Sequence, residues 1–262
     1  TMRSGNPTLA ADTFANIGRA DESMTVDGAV NRTILLMVLM VASSYVTWSM
    51  FFQAPGLGIS GMPLSKEQIV VGLQAIALWV IIGAIAGLLV AFITILKKTL
   101  SPVTAPIYAL LQGLFVGGIS AVLEAKFPGI VLQAVALTFG TLFCLLLAYR
   151  SKMIKATENF KLGVTAATGS ICLIYVATFI GGLFGIKVPY IHDSGVIGIG
   201  FSLFVVAIAA LNLVLDFDFI ENGAKHGAPK YMEWYGAFGL MVTLIWLYLE
   251  ILRLLSKMKS ED

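Results

Sequence analysis

Four acidic residues fall within or at the ends of apolar runs that are long enough to cross a membrane: Glu124, Asp216, Asp218 and Glu250. An ionisable side chain at the centre of a bilayer costs about 3 kcal/mol or more, so it needs a partner or a water-filled surrounding. Carboxylates in such positions serve proton transfer or cation binding. These four acids are therefore the first candidates for chemistry in this chain.

Asp216 and Asp218 end the sixth apolar run and are two residues apart, which is 200° around a helix. Both cannot face the same neighbour. Asn212 lies one turn before Asp216 on the same face, so we expect Asp216 to point into the protein and Asp218 toward the headgroups. Glu124 lies beside Lys126 at the end of the third run, where an ordinary boundary position explains it.

Glu250 follows the apolar run 244–249 and has no water-facing neighbour before Arg253. One interpretation is a local ion pair with Arg253 at i+3. The functional interpretation is that Glu250 faces inward and contacts Asp216 on the antiparallel sixth helix. Two carboxyls in contact in a low dielectric would share one proton, and its loss would push the helices apart. A cation such as calcium could replace that proton, which makes Asp216 and Glu250 tentative metal ligands.

The elements that must position these acids are membrane helices. Of the 262 residues, 58% are hydrophobic and only 12% are charged, about half the charged share of a soluble domain. A helix needs ~20 apolar residues to cross a bilayer. Seven runs qualify, so we predict an all-α integral membrane protein: 33–52, 69–96, 105–123, 129–149, 162–184, 195–215 and 235–255. The predicted domains are a polar N-terminal tail, 1–31, and a transmembrane domain, 32–258.

Glycines within the second and third runs favour close helix packing. Gly83 and Gly87 form a small-xxx-small pair, and Gly113, Gly117 and Gly118 continue the pattern. Small residues let helix backbones approach in lipid, where no hydrophobic force draws helices together. The pattern predicts a compact bundle.

The distribution of basic residues predicts the orientation of the chain. Eleven of the 17 Lys and Arg residues lie on the side of the N-terminus and six on the other side. Because cytoplasmic loops carry the excess of Lys and Arg, we predict a cytoplasmic N-terminus and a C-terminus across the cell inner (plasma) membrane.

Several function classes are not supported by the sequence. It has no G-x-S-x-G or H-E-x-x-H motif, and His192 and His226 lie in loops, so we predict no enzyme activity and no cofactor. The net charge of +2 without a basic block argues against nucleic-acid binding. A retinal protein is excluded because the core of the seventh run has no lysine. Cys144 and Cys172 are expected to be small buried hydrophobic residues.

The ending Asp216-Phe-Asp-Phe-Ile-Glu, then Trp246-Leu-Tyr-Leu-Glu250-Ile-Leu-Arg, resembles the last two spans of the Bax inhibitor-one family, also called transmembrane Bax-inhibitor-motif proteins. The Gly-rich third run from Gln112-Gly113 is similar too. The resemblance covers roughly residues 30–256 and points to a prokaryotic branch.

This resemblance implies a bundle with the seventh helix at its centre and a pH-sensitive calcium leak. Asp216 and Glu250 match the family's pH-sensing acids by position, and Lys97 or Lys98 would be the basic residue that binds them in one state. The chain departs from the family in having Glu rather than Asp on the seventh span, and in the longer connection between the two acids. The family also often has Glu where Gln112 stands.

Two other classes stay open. A proton-coupled transporter would use the same acids as a proton relay. A regulatory protein would bind another integral membrane protein and pass no ion. The expected partners are the lipid bilayer, calcium or protons, and in the third case other membrane proteins.

Overall fold

Seven membrane-length helices make up the described part of the chain. The computed structural model describes residues 23–54, 63–185 and 195–260, and within them every long element is an α-helix. The helices are α1 (Val26–Phe52), α2 (Lys66–Leu96), α3 (Ser101–Lys126), α4 (Ile130–Arg150), α5 (Glu158–Leu183), α6 (Val196–Lys225) and α7 (Met232–Met258). A short 3₁₀ helix, Lys98–Leu100, precedes α3. All seven are long and apolar enough to cross a membrane, which confirms the predicted fold class.

Two helices extend well past the predicted spans. α1 begins at Val26, inside the predicted tail 1–31, because the Thr25 side chain accepts a hydrogen bond from the Gly28 N–H and caps the helix. Residues 1–22 of that tail lie outside the described residues, as does His192. α6 continues to Lys225, ten residues past the predicted end at 215. The prediction ended α6 just before its first acid. In the structure the helix continues past this point, and its acids lie inside the protein or near the helix end.

The described chain divides into two compact units. The first unit comprises residues 134–222 and 242–260, which include α5, most of α4 and α6, and the second half of α7. The second unit comprises residues 23–133 and 223–241, which include α1, α2, α3 and the start of α7.

In the second unit, α3 packs against α1 through Gly117 of α3 and against α2 through Gly83 of α2. A Cβ atom on Gly83 would lie 2.5 Å from the Leu111 carbonyl oxygen, and one on Gly117 would overlap the backbone of Ser44. No side chain fits at either position, so the helix backbones touch. The predicted close packing at these glycines is present in the structure.

The helices differ in how much of their surface faces inward. In the most apolar stretch of α7, 67% of the residues are buried, more than in any other described helix. α7 is therefore the enclosed helix of the bundle, as the resemblance implied.

Cys144 on α4 and Cys172 on α5 are exposed, so the predicted burial of the cysteines is wrong. Both lie among exposed apolar residues such as Phe143 and Leu173, on surfaces that face lipid.

Candidate functional site

Glu250 lies inside the first unit with 3% of its surface exposed. Its Oε1 accepts a hydrogen bond from the Tyr175 hydroxyl of α5 at 2.9 Å. Arg253 Nη1 lies 3.2 Å from the same oxygen and 3.3 Å from Oε2. The local ion pair at i+3 is therefore present, and Glu250 also faces inward.

Tyr175 completes this site and was not identified from the sequence. Arg253 donates to the Tyr175 hydroxyl at 2.6 Å, and its guanidinium lies 5.0 Å from the centre of the tyrosine ring. The only sequence signal was a polar hydroxyl within an apolar run. The Arg253 side chain is 40% exposed while that of Glu250 is 3% exposed, so the cation reaches from the buried acid to the surface of the unit.

Asp216 on α6 is completely buried. Asn212, one turn earlier, is also buried, and its Nδ2 donates to Thr168 Oγ1 on α5 at 2.8 Å and to the Ile208 carbonyl at 2.9 Å. The polar stripe predicted for α6 thus leads into the protein, and Asp216 lies on its buried side.

Asp218 lies at the edge of the same unit, with 20% of its side chain exposed. Lys161 Nζ of α5 lies 2.8 Å from Asp218 Oδ2 and 3.6 Å from Glu158 Oε1. One turn further along α6, Glu221 accepts a hydrogen bond from the Tyr149 hydroxyl. The end of α6 is therefore bound to α4 and α5 by polar contacts, and Asp218 is partly exposed while Asp216 is buried.

Glu124 has a structural role at the start of α4. Its two carboxylate oxygens accept hydrogen bonds from the Gly129 N–H at 2.6 Å and the Val131 N–H at 3.0 Å. A carboxylate is favourable at a helix N-terminus because the N–H groups of the first turn lack partners within the helix. This structural contact explains why an acid stands at position 124, and no functional role is needed to account for it.

Contacts between α6 and α7 set their antiparallel register. Lys257 Nζ donates to the Gly198 carbonyl and to Ser202 Oγ, both at 3.0 Å, and Trp246 packs against a cluster that contains Val205 and Ile208. With this register, Glu250 lies closer to the Lys257 end of the helix pair than Asp216 does.

The predicted direct contact between the carboxyls of Asp216 and Glu250 stays a prediction. Two buried polar sites carry the two acids. One contains Glu250, Tyr175 and Arg253. The other contains Asp216 and Asn212.

Lys97 and Lys98 were predicted to be basic partners of the acids. Lys97 is exposed, and Lys98 Nζ lies 5.7 Å from the centre of the Tyr235 ring. Both belong to the second unit, so their predicted role stays untested. The cation that the structure places beside Glu250 is Arg253.

The carboxylates do not form a resident metal site in the described part of the chain. Calcium takes 6–8 oxygen ligands in proteins. Among the described residues, no group of three or more His, Cys, Asp and Glu side chains is arranged to hold a metal ion.

A further buried acid, Glu233, lies in the first turn of α7. It is 1% exposed, and its Oε1 accepts hydrogen bonds from Thr25 N and Thr25 Oγ1, both at 3.0 Å. Lys230 Nζ lies 3.2 Å away. In the second unit, this carboxylate binds the start of α1 to the start of α7.

Comparison with known proteins gives one match. A family model described as Bax inhibitor 1 like matches residues 6–260. No curated protein and no solved structure matches the chain significantly. The matched segment covers nearly the whole chain and includes both buried polar sites.

Proposed function

The chain belongs to the Bax inhibitor 1 like family, and from that premise we propose that it is a pH-sensitive leak for calcium or related cations. It is a multi-pass membrane protein. The observation that supports the proposal best is the buried acid Glu250 with its cationic partner, Arg253. A carboxylate held inside a membrane bundle attracts cations that lipid would exclude.

Arg253 would act as the competitor of the permeating ion. Its guanidinium neutralises Glu250 at 3.2 Å, and its partly exposed side chain can move toward the membrane surface, where long basic side chains place their charge. A divalent cation entering the site would replace this guanidinium at the carboxylate. The Asp216 site on α6 would provide a second carboxylate at a different depth.

The proposed pH dependence follows from the charge of the two acids. Protonated carboxyls do not attract a cation, so the leak should decrease as the pH falls and increase as both acids ionise. The Glu250 carboxylate contacts the Arg253 guanidinium and the Tyr175 hydroxyl.

Calcium flux into liposomes, measured as a function of pH, tests the proposal. Asp216→Asn and Glu250→Gln should each reduce the leak about tenfold, since one screened charge interaction of about 1.4 kcal/mol is worth that factor. Both should also flatten the pH profile. Glu67→Gln, at an exposed acid in the first turn of α2, is the control and should match the wild type. Unchanged profiles for both site variants would rule out this mechanism.

A proton-coupled transporter is the second candidate. It is favoured by the register of α6 and α7, because acids at two depths suit a stepwise proton relay. The two functions differ in one measurement: a leak passes calcium down its gradient without another solute, whereas a coupled transporter needs its co-substrate.

We also propose that the protein resides in the plasma membrane with its N-terminus in the cytoplasm. The excess of basic residues on the N-terminal side supports this orientation.

A further inference from the structure

An apolar groove runs along the outer side of the second unit between α2 and α3. It has a volume of about 440 Å³ and no polar surface in its lining, and it falls within the size range of small-molecule sites in proteins. Its walls include Leu73, Ile76 and Val80 of α2 and Gly118, Val122 and Leu123 of α3. The groove lies within the membrane-spanning part of both helices.

Gly118 lets the side chains of α2 pack closely on α3 beside the groove. A Cβ atom at this position would lie 3.2 Å from Ile76 Cδ1 and would overlap Val80. Ile76 in the groove wall is completely buried, while only 17% of the most apolar stretch of α2 is buried. The groove is therefore an indentation in a surface that otherwise faces lipid.

One end of the groove is marked by two lysines. The Leu64 N–H donates to the Ala125 carbonyl at 2.8 Å, which brings the start of α2 beside the end of α3. Lys66 and Lys126 are both exposed there. Lys126 follows the groove residue Leu123 by three positions, about 4.5 Å along the helix.

The acids near this end do not cancel the two lysines. The carboxylate of Glu124 is bound to the Gly129 and Val131 N–H groups. Glu67 is exposed in the first turn of α2, so one solvent-facing acid accompanies two solvent-facing lysines.

We propose that this groove binds one acyl chain of an anionic phospholipid, with the phosphate held by Lys126 and Lys66. The apolar lining suits a hydrocarbon chain, and basic residues at the membrane surface select anionic headgroups. This site is separate from the proposed leak, because it lies in the other compact unit and involves neither Asp216 nor Glu250.

Native mass spectrometry of the full chain in detergent tests the proposal. The protein is incubated with equal amounts of phosphatidylglycerol and phosphatidylcholine that carry identical acyl chains. The wild type should retain phosphatidylglycerol preferentially. Ala77→Trp places a large side chain in the groove and should abolish retention. Ala75→Trp is the matched control, since Ala75 is an exposed alanine on the same helix outside the groove lining.

The double variant Lys66→Gln with Lys126→Gln tests the headgroup contact. Its preference for phosphatidylglycerol over phosphatidylcholine should fall about fivefold for each lysine removed. The variant should still retain lipid. Equal retention by Ala77→Trp and Ala75→Trp would refute the groove as the binding site. Equal retention of the two lipids by the wild type would refute recognition of an anionic headgroup.

Discussion

Glu250 is neutralised by a residue one turn away on its own helix, with Arg253 at 3.2 Å. Other buried charges in the first unit are satisfied by neighbouring helices. Lys161 of α5 pairs with Asp218 of α6, and Lys257 of α7 binds oxygens of Gly198 and Ser202 of α6. A charge out of water is tolerated only when nearby groups compensate it. These contacts therefore fix the positions of the helices that carry them.

Removing the Tyr175 hydroxyl tests its role beside Glu250. Tyr175→Phe keeps the ring but deletes the donor to Glu250 Oε1. Without this donor the carboxylate is held less firmly, and the loss of one hydrogen bond to a charged group, about 1.5 kcal/mol, should lower calcium flux about tenfold. The measurement is liposome flux against pH, with Tyr45→Phe on the exposed face of α1 as the control. Unchanged flux would exclude Tyr175 as a positioning residue for the leak.

Ser202→Ala tests the register contact between α6 and α7. Ser202 is buried and accepts a hydrogen bond from Lys257 Nζ, so its removal leaves a buried ammonium group with one acceptor fewer. We expect a loss of about 1–3 kcal/mol in stability, measured by thermal unfolding in detergent. Ser170→Ala is the control, because Ser170 is exposed and its hydroxyl donates to the Ala166 carbonyl of its own helix. Equal melting temperatures would show that the Ser202 contact does not stabilise the bundle.

At the scale of whole helices, the close packing of α3 against its neighbours depends on glycine, whereas the packing of α4 does not. Gly117 packs against the backbone of Ser44 on α1, whereas Gly140 of α4 has open space around it. The same residue type thus has opposite packing roles in two neighbouring helices. The sequence pattern identified the glycines of α3 because they recur at helical spacing.

Gly117→Ala should destabilise the protein by about 1–3 kcal/mol, since the added methyl group forces α1 and α3 apart. The matched substitution Gly140→Ala should be neutral or stabilise slightly, because alanine is the better helix former. Thermal unfolding of both variants in the same detergent gives the comparison. If Gly117→Ala melts no lower than Gly140→Ala, the backbones of α1 and α3 do not pack as described.

The whole molecule has an asymmetric distribution of charge. The predicted cytoplasmic loops contain eleven of the 17 basic residues. With seven spans, this asymmetry predicts that the loop between α4 and α5 lies inside the cell and the start of α2 outside.

Cysteine labelling tests this orientation. In a background with Cys144→Ala and Cys172→Ala, we expect Lys66→Cys to react with a membrane-impermeant maleimide in intact cells. Lys152→Cys, in the loop after α4, should react only after permeabilisation. The reverse pattern would contradict the proposed orientation, and labelling at both positions would contradict the single orientation.

The sequence alone determined the class of the fold, the seven helices and the candidate acids. These properties depend on the length and apolarity of runs such as 69–96 and on single charges such as Glu250, which are local. Helix ends were predicted less well, because the end of α6 is stabilised by partners from α4 and α5 that are distant in the chain.

Only the tertiary structure decided which groups surround each acid. Tyr175 meets Glu250 across 75 residues of sequence, and Lys257 meets Ser202 across 55. Helical periodicity gives the face on which a residue lies but not the vertical offset between two helices. A shift of one turn moves a side chain by about 5 Å, which is enough to replace one contact with another. Packing between helices therefore sets the vertical offset of α6 from α7, which the contact of Lys257 with Ser202 shows.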